Sequence, residues 1–349
     1  MIVRARAPLR LSFGGGGTEL SPYMDEFGGL VLNATINLHV HTTLRPNDAG
    51  AGVAFRAADQ DRDLSLPDAA DLPTDRGLPI HCGVHNWIVR HHNAGRPLPL
   101  KITTYSEAPT GSGLGASSTL TVSLIKAYDE YLNLALGEYD IARTAYRIER
   151  DVLGFAGGRQ DQYAAAFGGV NLIEFHPNDQ VIVNPLRVRN WIVSELEAQL
   201  VLFYTGVSRE SGAIIESQTE RMRRGDGDML TRMHRIKAYA TAMKEHLLKG
   251  DFSALADDLD GAWRAKRGTA AQVSSPAIDR VYERVRALGV RGGKISGAGS
   301  GGFMMLICDP EQRWGVERYL REQAGGQVFP AKFIKVGAES WRLHDRPFA

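Results

Sequence analysis

Three glycine clusters and two carboxylates are the residues here whose types and spacing could do chemistry. The clusters are Gly14-Gly15-Gly16-Gly17, Gly111-Ser112-Gly113-Leu114-Gly115-Ala116-Ser117-Ser118 and Gly297-Ala298-Gly299-Ser300-Gly301-Gly302. Glycine lets backbone N–H groups approach an anion closely and adopts positive φ, so phosphate cradles are rich in it. The middle cluster follows Pro109 and runs into Ser117-Ser118-Thr119, where the apolar pattern of Leu120–Leu132 predicts a helix. A helix N-terminus offers unpaired N–H groups and roughly half a unit of positive charge, which favours a di- or triphosphate. A serine hydroxyl in the first turn is also a ligand for Mg²⁺. The plainer alternative is a capped helix after a flexible loop.

Two other phosphate-binding patterns fail. No G-x-x-x-x-G-K-[ST] run occurs. Gly297-x-Gly299-x-x-Gly302 matches the dinucleotide fingerprint in letters, but that fingerprint must open a helix. The following Phe303–Cys308 is a continuous apolar run that predicts a buried strand. An oxidoreductase reading therefore requires a helix after Gly302.

The carboxylates are Asp161, in Gly157-Gly158-Arg159-Gln160-Asp161-Gln162, and Glu149, twelve positions earlier on a predicted helix. Alone, the first reads as a turn residue and the second as part of a solvated face. Phosphoryl transfer gives them other work: neutralising phosphate charge through a dication, and orienting or deprotonating the attacking hydroxyl. An adjacent arginine favours the ionised, proton-accepting form of a carboxylate.

The elements that must position these groups follow from periodicity. Strands are predicted over 2–13, 29–45 and 98–105, with edge strands in 46–79, a helix over 80–95 and another over 138–152. A strand pair brackets 169–185. The second half has a strand at 200–204, amphipathic helices near 210–224, 229–249, 251–266 and 276–288, the 303–308 strand, a helix at 311–324 and a last strand near 327–336. The change of composition near residue 190 suggests domains of 1–190 and 191–349.

Bulk properties bound the rest. At 349 residues, with 43% hydrophobic and 23% charged residues and a formal charge of +1, the chain has an ordinary globular composition. That balance gives no reason to expect nucleic acid or an anionic membrane as partner. Neither a signal segment nor an 18-residue apolar stretch is apparent, so a cytoplasmic location is the expectation. Two cysteines cannot build a disulfide framework. Cys82, in His81-Cys82-Gly83-Val84-His85, fits no closed zinc spacing.

In order and content, the three glycine clusters resemble the three motifs of the GHMP kinases, over nearly the whole chain, with Ala7-Pro8-Leu9-Arg10-Leu11 opening the first. The resemblance implies a two-lobed α+β fold, with an ATP-loop lobe and a ferredoxin-like C-terminal lobe. It implies ATP as co-substrate and Mg²⁺ as cofactor. Gly111 to Ser118 become the phosphate loop, Asp161 the catalytic base, Arg10 its neighbouring cation, and Ser117 and Glu149 the metal ligands. Gly299 lies in the loop that supports the active site.

Sugar-kinase members carry a Gly-Glu-His-x-Asp run where this chain has Gly15-Gly16-Gly17-Thr18-Glu19. The last carboxylate is kept in kind as Glu19; the Glu and His become Gly16 and Gly17. That leaves space for a bulkier or anionic group, such as a phosphate on backbone N–H groups. This variant, with Gly-Gly-Arg-Gln-Asp-Gln and Gly-Gly-Lys-Ile-Ser-Gly-Ala-Gly, resembles the D-glycero-D-manno-heptose 7-phosphate kinase branch. It implies transfer to the anomeric hydroxyl, giving a 1,7-bisphosphate for GDP-heptose and surface polysaccharide synthesis. Gly16, Gly17, Thr18, Glu19, Arg159, Arg209 and Gly299 are then the substrate-side residues, with Lys266-Arg267 as further candidate cations. Fucose- or galactose-type kinases share the scaffold, and a non-catalytic sugar sensor on it is the third reading. A homodimer is left open.

Overall fold

The computed structural model describes residues 1–47, 52–67, 69–109, 111–207 and 212–343. The chain opens with β1 (Ile2–Gly14), α1 (Tyr23–Phe27), β2 (Gly29–Pro46), β3 (Val53–Ala57), β4 (Arg62–Leu66), α2 (Pro79–His92) and β5 (Leu100–Ser106). It continues through α3 (Ala116–Leu132), α4 (Glu138–Arg147), α5 (Gln160–Phe167), β6 (Val170–Phe175) and β7 (Val181–Pro185). Then come α6 (Asn190–Gln199), β8 (Leu200–Tyr204), α7 (Gly212–Arg223), α8 (Gly227–Lys249), α9 (Phe252–Arg267) and α10 (Pro276–Ala287). It closes with β9 (Val290–Ile295), β10 (Phe303–Cys308), α11 (Pro310–Glu322), β11 (Gln327–Phe329) and β12 (Glu339–Leu343).

One sheet runs β12-β1-β2-β5-β3-β4, with the β6–β7 hairpin branching from β2. The branch exists because β2 is 18 residues long: Val40–Pro46 pairs with β5 and Gly29–Ala34 with β6. The other sheet, β11-β8-β10-β9, is antiparallel throughout. Its connectivity, strand–helices–strand–strand–helix–strand, is ferredoxin-like, as expected.

The path of β1 fixes the side chain of Arg10. Leu9, Leu11 and Phe13 are buried with Met243, Leu255 and Leu259 of α8 and α9, joining the first sheet to the C-terminal helices. Successive strand residues face opposite ways, so Arg10 and Ser12 point to the other side. Each buried leucine or phenylalanine contributes about 1.5–3 kcal/mol relative to exposure. Arg10 is thus held by neighbours whose burial the fold cannot give up.

Several boundaries differ from expectation. α3 begins at Ala116, not Leu120, because Gly115 turns the chain with φ 79° immediately before it. Ser117 and Ser118 therefore lie inside the first turn. The predicted last strand is only Gln327–Phe329, and the chain returns as β12 to pair with β1. α1, α5, α6, β9 and β12 have too short or too mixed a pattern to show in the sequence. Phe303–Cys308 is a strand, which removes the dinucleotide reading. His81 and His85 are core residues bonded to Thr104 Oγ1 at 2.8 Å and to the Tyr128 hydroxyl at 2.6 Å. Among the described residues no helix is long and apolar enough to cross a membrane.

Candidate active site

A cavity of about 670 Å³ opens between the first sheet, the N-terminus of α3 and the loop joining β9 to β10. The middle and third glycine clusters meet at its wall. A Cβ on Gly113 would lie 2.4 Å from the Ser296 carbonyl oxygen, and one on Gly302 would lie 2.2 Å from that of Ser112. Both glycines also have positive φ, so the contact admits no side chain at either point. The loop's carbonyls are then consumed. Phe303 N donates to Ser112 O at 2.9 Å, Ser296 Oγ to Gly113 O at 2.9 Å and Arg10 N to Leu114 O at 3.1 Å. The first-turn amides of α3 have no partner within the helix.

Asp161 occupies the first turn of α5 and reaches the same wall. Arg10 Nε and Nη2 lie 2.7 and 2.6 Å from a single carboxylate oxygen, Oδ1. The arginine's Nη1 donates to Gly113 O at 2.6 Å, so one guanidinium ties the carboxylate to the phosphate loop. The other oxygen, Oδ2, faces Gly115, where a Cβ would sit 3.2 Å from it.

Glu149 lies on a π-helical turn, Ile148–Val152, that extends α4. Such widened turns recur at functional sites. Its buried carboxylate accepts from Ser118 Oγ at 2.8 Å, Thr121 Oγ1 at 2.7 Å and Gln162 Nε2 at 2.5 Å. Burial raises its pKa, partly offset by Arg150 and these donors. Ser117 is exposed on the cavity wall one residue away. Gln162 Oε1, on the side chain that bonds Glu149, is buried without a partner among the described residues. Hydroxyl and carboxylate oxygens converging at the N-terminus of α3 fit a hard dication such as Mg²⁺.

Glu19 lines the same cavity and is tied to Gln160, the residue before Asp161. It accepts from Gly17 N at 2.6 Å and from the Gln160 amide, and burial raises its pKa. Lys266 of α9 lies nearby, with Nζ donating to Gly297 O at 2.7 Å. Burial brings this lysine down to about 8, although Glu19 works in the other direction. Lys294 Nζ donates to Ser12 O at 2.7 Å, and its pKa is lowered by burial and by the charges of Lys266 and Arg10.

Residues 71–169 match the GHMP kinases N terminal domain, and residues 243–325 match GHMP kinases C terminal. The chain is 45% identical over 341 residues to the D-glycero-alpha-D-manno-heptose 7-phosphate kinase of Campylobacter jejuni, covering 98% of this chain and 99% of that one. The chain belongs to the GHMP kinases. Its fold is shared with a crystal structure described as a D-glycero-D-manno-heptose 1-phosphate kinase from Bacteroides thetaiotaomicron. That structure has a TM-score of 0.84 and 40% identity, with 98% of this chain and 100% of that one covered. A putative sugar kinase of C. jejuni gives a TM-score of 0.81 and 43% identity, over 98% of each chain. As a GHMP kinase the chain is a phosphotransferase with an alcohol group as acceptor.

In this kinase the sequence-derived residues separate by position. Arg10, Gly17, Glu19, Asp161, Glu149, Lys266, Gly299 and, from the phosphate loop, Gly111, Gly113, Gly115, Ala116, Ser117 and Ser118 line the cavity. Ser112 and Leu114 hold the loop from behind. Gly16 is packed on Gln160, Ser12 and Lys266, and Thr18 Oγ1 is spent on Gly15 O and Leu30 O. The Gly17 N–H goes to Glu19, so it is not free for a phosphate. Arg159 is drawn away from the wall by Asp179, 2.6 Å from its Nη1, and by the Tyr146 ring, 4.4 Å from its guanidinium carbon. Arg209 lies outside the described residues.

Sequence reasoning missed Arg150, which bonds Gly158 O at 3.1 Å and lines the cavity, because a helical Arg beside a Glu looks solvated. It also missed the far wall, where Asp59, His81 and Tyr105 come together from three elements. No motif links those positions.

Proposed function

We propose that this kinase transfers the γ-phosphoryl of ATP to the anomeric hydroxyl of D-glycero-D-manno-heptose 7-phosphate, giving the 1,7-bisphosphate. The observation that carries this reading is the placement of Asp161 beside both the phosphate loop and the Gln160–Glu19 pair, in one cavity of about 670 Å³. The C. jejuni relative named for that reaction adds the acceptor.

The triphosphate lies across the first turn of α3, where amides and helix dipole favour its charge. The nucleoside extends toward the wall bearing Asp59, His81 and Tyr105. Mg²⁺, when bound, neutralises charge on the transferring phosphoryl; Glu149, Ser117 and Ser118 would hold it. Glu19 accepts hydrogen bonds from sugar hydroxyls, and the Lys266 ammonium offsets its charge. Arg10 fixes Asp161 Oδ1, so Oδ2 takes the proton as the acceptor oxygen attacks. The anomeric hydroxyl is more acidic than other alcohols because the ring oxygen withdraws electrons, and a carboxylate base suffices. We place the enzyme in the cytoplasm, on a route to GDP-heptose and surface polysaccharide, with domains dividing near residue 190.

The two heptose-phosphate relatives carry names that put the resident phosphate at opposite ends of the sugar. Heptose 1-phosphate phosphorylated at position 7 gives the same bisphosphate, so the product alone does not distinguish the routes. The test is ADP release with Mg-ATP against heptose 7-phosphate, heptose 1-phosphate, mannose 6-phosphate, mannose, galactose and fucose. Preference for the 7-phosphate supports the proposal. Preference for the 1-phosphate reverses the acceptor position, preference for a free sugar overturns the acceptor class, and no turnover favours a sensor.

A further inference from the structure

Outside the cavity, two histidines and a glutamate converge on the first sheet. His39 and His41 are alternate residues of β2 and so project from the same face. Glu107 follows the end of β5, the neighbouring strand, and immediately precedes Ala108-Pro109 at the root of the phosphate loop. None of the three lines the cavity.

One ligand atom from each residue lies within 4.8 Å of the others. His39 Nδ1 is 3.6 Å from Glu107 Oε2, and His41 Nε2 is 3.2 Å from Glu107 Oε1. Tetrahedral coordination with bonds of about 2.0–2.1 Å requires ligand atoms about 3.3 Å apart. Each histidine meets that within a few tenths of an ångström against a different Glu107 oxygen, His39 against Oε2 and His41 against Oε1, so the carboxylate turns to offer a single oxygen to the ion.

The carboxylate is also held in place. Glu107 Oε2 accepts the His39 backbone N–H at 2.7 Å, and Glu107 N donates to His39 O at 3.0 Å. Both rings are partly accessible, which leaves a path for an ion and a water as fourth ligand. The nearby cation, Arg6, is paired with Glu339, and the ion-pair contacts of Glu107 among the described residues are with the two histidines.

We propose that His39, His41 and Glu107 form a binding site for a transition-metal dication of the Zn²⁺ class, separate from the Mg²⁺ position and anchored at the root of the phosphate loop. Two imidazoles and one carboxylate select Zn²⁺, Ni²⁺ or Co²⁺ over Mg²⁺, whose preference is for oxygen alone. The site is open, with three protein ligands.

The test uses the full chain stripped with a chelator, then titrated with Zn²⁺ against a competing colorimetric chelator, with Co²⁺ absorption reporting coordination. Wild type should take up one equivalent with a rise in Tm. His39→Gln, His41→Gln and Glu107→Gln should each weaken binding by more than the roughly 10–100-fold that loss of an outer-shell partner costs. His176→Gln and His246→Gln, at histidines beside other carboxylates, should leave it unchanged. Glu107→Gln keeps an acceptor for the His39 N–H, so it stands in if a histidine variant does not fold. Equal affinity in wild type and Glu107→Gln, or no stoichiometric uptake by wild type, overturns the site. Turnover with Mg-ATP should persist in the Zn²⁺-free protein.

Discussion

Two neighbouring corners of the cavity each pair a carboxylate with a cation, in opposite ways. Asp161 and Arg10 are in contact, 2.6 Å apart, and the carboxylate keeps 24% of its side-chain surface exposed. Glu19 and Lys266 are both buried, influence each other through space, and each bonds to backbone or amide groups instead. A contact pair on an open wall holds one oxygen and frees the other, which suits proton transfer. A buried carboxylate whose hydrogen bonds are already fixed presents a rigid acceptor, which suits recognition of hydroxyls. Under the proposed function, the difference teaches that burial, not residue type, divides base from binder.

The largest break in this comparison is Asp161→Asn. It keeps the shape of the Arg10 corner and removes the proton acceptor, so kcat should fall about 10²–10⁴-fold. Nucleotide affinity, read with a fluorescent ATP analogue, should stay near wild type. A variant with wild-type kcat would dismiss Asp161 as the base. Next in size is Glu19→Gln. Loss of charge-assisted hydrogen bonds worth about 1.5–3 kcal/mol should raise the acceptor KM roughly 10–100-fold, with a smaller change in kcat. Initial rates at varied acceptor concentration separate the two; a fall in kcat alone would move Glu19 into the chemistry.

Lys266 sharpens the contrast through pH. Its proton is lost near 8 in the folded protein and near 10.5 in an unfolded chain. The folded state therefore disfavours the charged form by ~3 kcal/mol, taking 1.36 kcal/mol per unit. That cost is fully present below pH 8 and disappears as pH rises to the unfolded value. Lys266→Met should raise Tm at pH 7, with the gain shrinking toward pH 10.5, in thermal melts across that range. Acceptor KM of the wild type should climb as pH passes 8, and the variant should lack that limb. A gain in Tm independent of pH would show that Lys266 titrates alike in the folded and unfolded chain, so that its burial carries no protonation cost.

The corner with Asp161 was far more legible in the sequence than the corner with Lys266. Glycine spacing reports close backbone approach, so Gly113, Gly115 and Gly302 announce themselves, and Asp161 and Glu149 follow at fixed distances along the chain. Lys266 comes from α9, more than a hundred residues after Asp161, and its sequence neighbourhood is that of any amphipathic helix. Arg159 lies off the cavity wall for the complementary reason: its partner Asp179 is supplied by the β6–β7 turn, a tertiary contact without a local signature. The fold itself was readable where strands alternate or helices are long. It was not readable in β12, whose exposed, mixed residues become a strand only because β1 offers a free edge.

The smallest effect tests the rigidity of the Glu19 corner. A Cβ on Gly158 would lie 2.6 Å from Glu19 Cγ and 2.8 Å from its Oε1. Gly158 has no positive φ, so Gly158→Ala strains only this contact and not the backbone. The Glu19 side chain must shift, stretching its bonds to Gly17 N and Gln160 while its charge is unchanged. The acceptor KM should rise a few-fold, less than in Glu19→Gln, and kcat and nucleotide affinity should hold. If Gly158→Ala instead lowers kcat as strongly as Asp161→Asn, the two corners are mechanically one, and the division of labour between base and binder fails.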